Sequence, residues 1–309
     1  MTAASSNGRP LRTGSGRRSY LVTWLVILGL IAVLAAIFGA AAYFFGGFTD
    51  RVPGVAIGVV EIKGVIVNSE AILGILASFS RDQRIKAVIL RIDSPGGGVA
   101  ATQEIYREVM RTRQRKKVIA SLGSMAASGG IYIASAADKI LASPGTLTGS
   151  IAVIMHFANY QELFRKVGLK SVIIKSGEFK DIGSPTRKMT PREKEILQYL
   201  VDQVHQQFIK DVAKARKMPV EKVAALADGR VFTGEEAVRL GLVDSLGNFE
   251  DAVALAQKIL GLKTRPKLVY PKRKKSWLWD LITGEDRTSV LPDWLKLPFQ
   301  LQYRYVPGL

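Results

Sequence analysis

Lys86-Ala-Val-Ile-Leu-Arg-Ile92 runs directly into Asp93-Ser-Pro-Gly-Gly-Gly98, and Ala100–Arg115 follows with helical spacing. A short apolar, β-branched run bounded by Pro and Gly reads as a buried strand, and the change of period after it reads as a helix. The same alternation repeats outward. Val55–Val67 predicts one or two strands around Gly64, and Ser69–Phe79 a helix. Lys117–Leu122 predicts a strand, Ser128–Ala137 a helix, and Lys139–Ala142 and Ser150–His156 strands. Asn159–Val167 reads as a helix and Leu169–Lys175 as a strand. Thr190 with Glu193 forms a capping-box signature before a long helix through Lys217; Thr233 with Glu236 repeats it, and Asn248–Leu260 is a last helix. Strands alternating with helices argue for an α/β fold with right-handed crossovers.

The 309 residues suffice for one large domain or two small ones. With no cysteine, disulfides, thiolate nucleophiles and Cys-based zinc sites are excluded. The net charge of +18 suggests an anionic partner, but the basic clusters at 111–117 and 272–275 come with no nucleic-acid motif, so anionic lipid is the better match.

No charged residue falls between Ser19 and Thr49, and the apolar core from Leu21 to Phe45 exceeds the roughly 20 residues that span a bilayer. Arg9, Arg12, Arg17 and Arg18 precede it, so the positive-inside rule keeps the N-terminus cytoplasmic and exports the rest. A cleaved signal peptide is the alternative, but its apolar core is shorter. The expected layout is a cytoplasmic basic tail (1–19), a transmembrane anchor (20–46), an α/β domain (52–262) and a basic, then Trp/Leu-rich tail (263–309) outside the core. In that tail Lys272–Lys275 and Trp277–Ile282 suit either a lipid headgroup layer or a neighbouring subunit.

Three features carry chemistry. The glycines of 93–98 follow a strand, where ligands of open α/β sheets bind, and their N–H groups could hold an oxyanion; a phosphate loop fits neither known glycine spacing, and a plain tight turn is the bland reading. Ser128 opens a helix after a strand, with Gly129 and Gly130 behind it, as a nucleophile or as an ordinary N-cap. Lys180 lies 52 residues further on, in Ser-Gly-Glu-Phe-Lys-Asp. Most loop lysines are solvated, but a desolvated amine can serve as base. Of the two histidines, His156 reads as structural and His205 as a solvated helix residue, so a Ser-His-Asp triad has no local support.

Together 93–98, 124–134, 137–140, 147–154, 175–185 and 227–237 resemble, in order, the signal peptide peptidase A family of membrane-anchored Ser/Lys proteases of the protease IV type. The resemblance covers roughly residues 55–260. It implies a ClpP/crotonase-like fold, Ser128 as nucleophile, Lys180 as base, Gly97 and Gly129 as oxyanion-hole amides, and Ser150 as the hydroxyl that orients the lysine. It further implies no cofactor or metal, cleavage of remnant signal peptides at the bacterial cytoplasmic membrane with the catalytic domain on the outer side, and a ring-like homo-oligomer of the family's short form. Ile131 stands where the family commonly has an aromatic residue.

Overall fold

The computed structural model describes the backbone of residues 16–45, 55–271 and 302–304, and side chains within 24–38 and 55–271. The chain divides into two compact units, Met1–Pro53 and Gly54–Leu309. The first contributes helix α1 (Gly16–Phe45). Among the described residues no helix is long and apolar enough to cross a membrane, α1 being described in its side chains only over 24–38. The lipid or subunit contacts expected of 272–282 lie outside the described residues.

The second unit is mixed α/β. Its strands are β1 (Ala56–Lys63), β2 (Ile85–Ser94), β3 (Gly96–Gly98), β4 (Lys117–Ala127), β5 (Lys139–Ala142), β6 (Leu147–Gly149), β7 (Val231–Thr233), β8 (Ser245–Leu246), β9 (Lys267–Val269) and β10 (Gln302–Arg304). Its helices are α2 (Glu70–Arg81), α3 (Val99–Arg113), α4 (Gly129–Ser135), α5 (Gln161–Lys166), α6 (Pro191–Arg216), α7 (Val220–Ala224), α8 (Gly234–Leu240) and α9 (Phe249–Ile259). The main sheet runs β7-β6-β4-β2-β1-β9. Strand β4 forks: Ile119–Ser121 pair with β5, while Met125–Ala127 pair with β6. Every pair in this sheet is parallel except β6–β7.

Burial on both faces explains the near-continuous apolar strands, as parallel sheets require. One face packs against α2, α3, α4 and α6 around Val60, Leu90, Ile105 and Phe208; the other packs against α9 through Ile57, Ile89, Ile119 and Val253. At the heart of the first layer Tyr132 stacks on Tyr106 at 4.8 Å and meets Phe208 edge-on at 4.7 Å. The Tyr132 hydroxyl donates to the Asp211 carboxylate and that of Tyr106 to the Asp211 carbonyl, so α4, α3 and α6 are tied at one point.

Three expectations change. Ser150–His156 is not a strand: β6 ends at Gly149 and only Ile154 makes a bridge. Leu169–Lys175 is irregular and exposed, because an apolar strand forms only where a partner edge exists. The segment after 263 does not all stand outside the core, since β9 extends the sheet alongside β1. Truncating the fully buried Phe208 to Ala should cost about 3–5 kcal/mol, read by denaturant unfolding of the parent and variant.

Candidate active site

Strands β2 and β4 end on one edge, with Ser94 opposite Ala126. The turn leaving β2 is braced by its own side chains. Ser94 Oγ donates to the Gly64 carbonyl at 2.6 Å and accepts the Gly96 N–H at 3.1 Å, while Asp93 Oδ1 accepts the Met125 N–H at 3.0 Å. Sequence reasoning missed Ser94; the Ser-Pro-Gly turn chemistry is the signal that could have found it.

The resulting strand β3 is held on one edge by Ile66. The Ile66 N–H donates to Gly96 O at 2.9 Å and the Gly98 N–H to Ile66 O at 2.8 Å. Strand alternation leaves the N–H and C=O of Gly97 to the other edge. There β10 runs antiparallel, with Tyr303 opposite Gly97. A Cβ at Gly97 would lie 2.0 Å from the Ile66 carbonyl oxygen, so the position is closed to any side chain.

Ser128 sits between β4 and α4 at φ 53°, ψ −111°, a conformation that costs an L-residue of order 1–3 kcal/mol. Its N–H donates to Gly149 O at 2.8 Å, and its side chain forms no helix cap. The N-cap reading is therefore not what the hydroxyl does: Ser128 Oγ is buried with no hydrogen-bond partner among the described residues. A Cβ on Gly129 would lie 2.9 Å from Thr102 Oγ1, 3.1 Å from Gly96 Cα and 3.3 Å from Gly97 N, which places the two glycines side by side next to Ser128. With only 7 residues in α4, close amides rather than a helix dipole are what this corner offers to an anion.

Ser150 follows Gly149 at φ 52°, is buried, and donates its N–H to Arg230 O at 2.7 Å. Ser128, Ser150 and the helix-ending Lys217 are the three positive-φ residues other than glycine among the described residues, so two of the three are serines at this corner.

Lys180 makes no hydrogen bond to Ser128. It is exposed, in a run of turns after Lys175. His156 is exposed; His205 is half-buried and bonds Ile151 O at 3.2 Å through Nε2, so neither matches its sequence reading. The Lys180 segment is clasped by charge. Arg187 bonds Asp181 through Nε at 2.7 Å and Glu193 through Nη1 at 2.8 Å, and Lys175 pairs with Asp181. The Arg187 guanidinium, and then the Thr190 N–H, hold the Glu193 carboxyl at about 2; Arg187 and Lys175 hold Asp181 well below the usual carboxylate range.

The Peptidase family S49 model matches residues 110–263 and the Clp protease model residues 62–146. The chain is 45% identical over 247 residues to a putative protease of Synechocystis sp., a match taking in 79% of this chain and 89% of that protein. It is 38% identical over 192 residues to a putative signal peptide peptidase of Enterococcus faecium, covering 62% of this chain and 56% of that one. Protease 4 of Salmonella typhi is 39% identical over 220 residues, 68% of this chain but 35% of the relative.

Two outcomes test the local physics. Gly97→Ala should lower turnover at least ~100-fold and stability by about 1–3 kcal/mol, measured by peptide hydrolysis and by unfolding. Glu193→Gln should lower the thermal midpoint at neutral pH. Because the parent's carboxyl is depressed from 4.5 to about 2, its contribution is present above 4.5 and lost as pH falls toward 2, so the gap between the two proteins should close over that interval.

Proposed function

Because the chain belongs to peptidase family S49 and is a serine-type peptidase, we propose that it cleaves peptide bonds with Ser128 as nucleophile and Lys180 as general base. The neutral amine takes the Ser128 proton as Oγ attacks the scissile carbonyl. The oxyanion accepts hydrogen bonds from the Gly97 and Gly129 amides, each such donor being worth about 3 kcal/mol in kcat. Collapse of the intermediate expels the amine, which leaves with the proton held by lysine. Water then attacks the acyl-enzyme, its proton passing to the lysine and on to Ser128 Oγ as the acid departs. Ser150 orients the amine.

The observation that carries this reading is the buried, unpartnered Ser128 hydroxyl, held at positive φ beside Gly97, which tolerates no side chain, and Gly129, where an added Cβ would crowd Thr102 and Gly96. The antiparallel pairing of β10 with β3 supports a peptide ligand, since an extended backbone lies along this edge; a substrate would displace β10 to bring its carbonyl to the Gly97 amide.

The substrates we propose are remnant signal peptides at the membrane. At 1.5 Å per residue the 30 residues of α1 extend about 45 Å, more than the ~30 Å hydrocarbon core, and its described side chains, Trp24–Phe38, are apolar and exposed. Arg9, Arg12, Arg17 and Arg18 in front of it favour a cytoplasmic N-terminus and an outward catalytic unit. Anchoring concentrates the site beside its substrates.

The site is completed in a ring-like homo-oligomer. A single chain leaves Ser128 Oγ without a base and Lys180 exposed, and it leaves an apolar run, with Val172 84% and Ile174 96% exposed, that reads as a strand but has no edge to join. Ser128→Ala and Lys180→Ala should each abolish cleavage of an apolar fluorogenic peptide. Mixing and reassembling the two inactive proteins should restore up to about a quarter of parental turnover, because a head-to-tail interface then unites an intact serine with an intact lysine. Full turnover in Lys180→Ala would remove lysine from the mechanism, and an inactive mixture would place both groups in one chain.

A further inference from the structure

Both chain neighbours of Lys180 are tied to the first turn of α6. Phe179 lies under the Arg192 guanidinium, 5.7 Å from ring centroid to Cζ. Asp181 is gripped at three points: Arg187 Nε donates to Oδ2 at 2.7 Å, Arg187 Nη2 to the Asp181 carbonyl at 3.3 Å, and Lys175 Nζ to Oδ1. Arg187 in turn forks onto Glu193, whose Oε2 also accepts the Thr190 N–H at 2.8 Å while its own N–H donates to Thr190 Oγ1 at 3.2 Å. Glu193 is buried, 3% exposed, at the start of a 26-residue helix.

The rest of the segment is weakly held. Immediately around Lys180 the backbone-to-backbone bonds are single turns: Lys180 N–H to Gly177 O at 3.2 Å, Ile182 N–H to Phe179 O at 3.1 Å and Ser184 N–H to Asp181 O at 3.0 Å. Phe157 packs against Gly183, where a Cβ would lie 2.4 Å from its ring. Turns alone do not fix where a long side chain starts, and misplacing a reacting group by about 1 Å costs on the order of 100-fold.

We infer that Arg187 is a positioning residue for the Lys180 amine, acting through Asp181 on one side and Glu193 on the other, with Arg192 setting the Phe179 side. A bidentate guanidinium suits this role because one group fixes a side chain, a carbonyl and a helix end at once, which an ammonium cannot. The inference rests on the reading of Lys180 as base.

The full-length protein tests it. Arg187→Met should lower kcat on the order of 100-fold per assembled protein with KM within about twofold, since the clasp does not touch β3. Arg187→Lys should fall between the two. A purely structural clasp would instead reduce the amount of assembled protein and its melting temperature at parental kcat, and that result overturns the inference, as does a rise in KM alone. If Arg187→Met fails to assemble, the exposed Arg192→Ala decides: kcat should drop several-fold, and a parental value overturns the inference. Lys180→Ala separates the two levels. Turnover retained there sinks the base assignment; loss there with a fully active, assembled Arg187→Met sinks only the positioning role.

Discussion

A Cβ atom at position 97 would lie 2.0 Å from the Ile66 carbonyl oxygen and 2.6 Å from its nitrogen, so backbone meets backbone with nothing between them. The rest of the site is arranged around that contact. It lets the chain beyond β1 bond Gly96 and Gly98 directly, which straightens β3 and frees the N–H and C=O of Gly97 for another edge. It also allows Gly129 to approach Gly96 and Gly97, so the start of α4 packs against β3 with no side chain in the gap. Glycine's loss of more conformational entropy on folding is offset by geometry that no other residue reaches.

Strain and unmet hydrogen bonds accumulate at the same corner. Ser128 and Ser150 each adopt a positive φ where glycine would be more comfortable, and the surrounding sheet imposes both, through Gly149 O on one N–H and Arg230 O on the other. Of the three buried hydroxyls without partners among the described residues, Ser128 and, close to Gly129, Thr102 lie here, while Thr112 is at the far end of α3. A protein selected only for stability would not retain these together, because an unsatisfied buried donor costs about 1–3 kcal/mol and each strained residue a comparable amount. Their coincidence at the C-terminal edge of a parallel sheet, where α/β folds bind ligands, is the physical signature of a reactive site.

The alternation of period between 86 and 142 makes the central strands and helices legible, and β5 falls on the residues read from the sequence. The capping residues of α6 and α8 are legible too, because a Thr side chain closing on an N–H three residues later is a local event. What is not legible is long-range. The forking of β4 between β5 and β6, the addition of β9 to the far edge and the Ile66–Gly97 contact all join residues whose pairing no local pattern encodes. Ser150–His156 has strand composition, but the fold makes of it a positive-φ start at Ser150, a buried Ile151 and a bridge at Ile154 rather than a ladder. His205 likewise has a polar sequence neighbourhood, yet its helix turns it onto the Ile151 carbonyl.

The stretch from Leu169 to Lys180 shows how these two levels meet. Val172, Ile173 and Ile174 have β propensity and no polar face, and in a single chain they stand exposed. A globular protein does not ordinarily leave such a run bare when one more strand partner would cover it. Six residues after Ile174 comes the proposed base, whose own neighbours are held by Arg187, ahead of α6, and by Arg192 in its first turn. One end of the segment is thus fixed by its own chain, while the other carries a surface suited to a second copy. Under the proposed assembly, a lysine placed between the two would be positioned only when both are satisfied. Under the proposed chemistry an unassembled chain would hold a nucleophile without its base and would be inert, so assembly and activity would be one event.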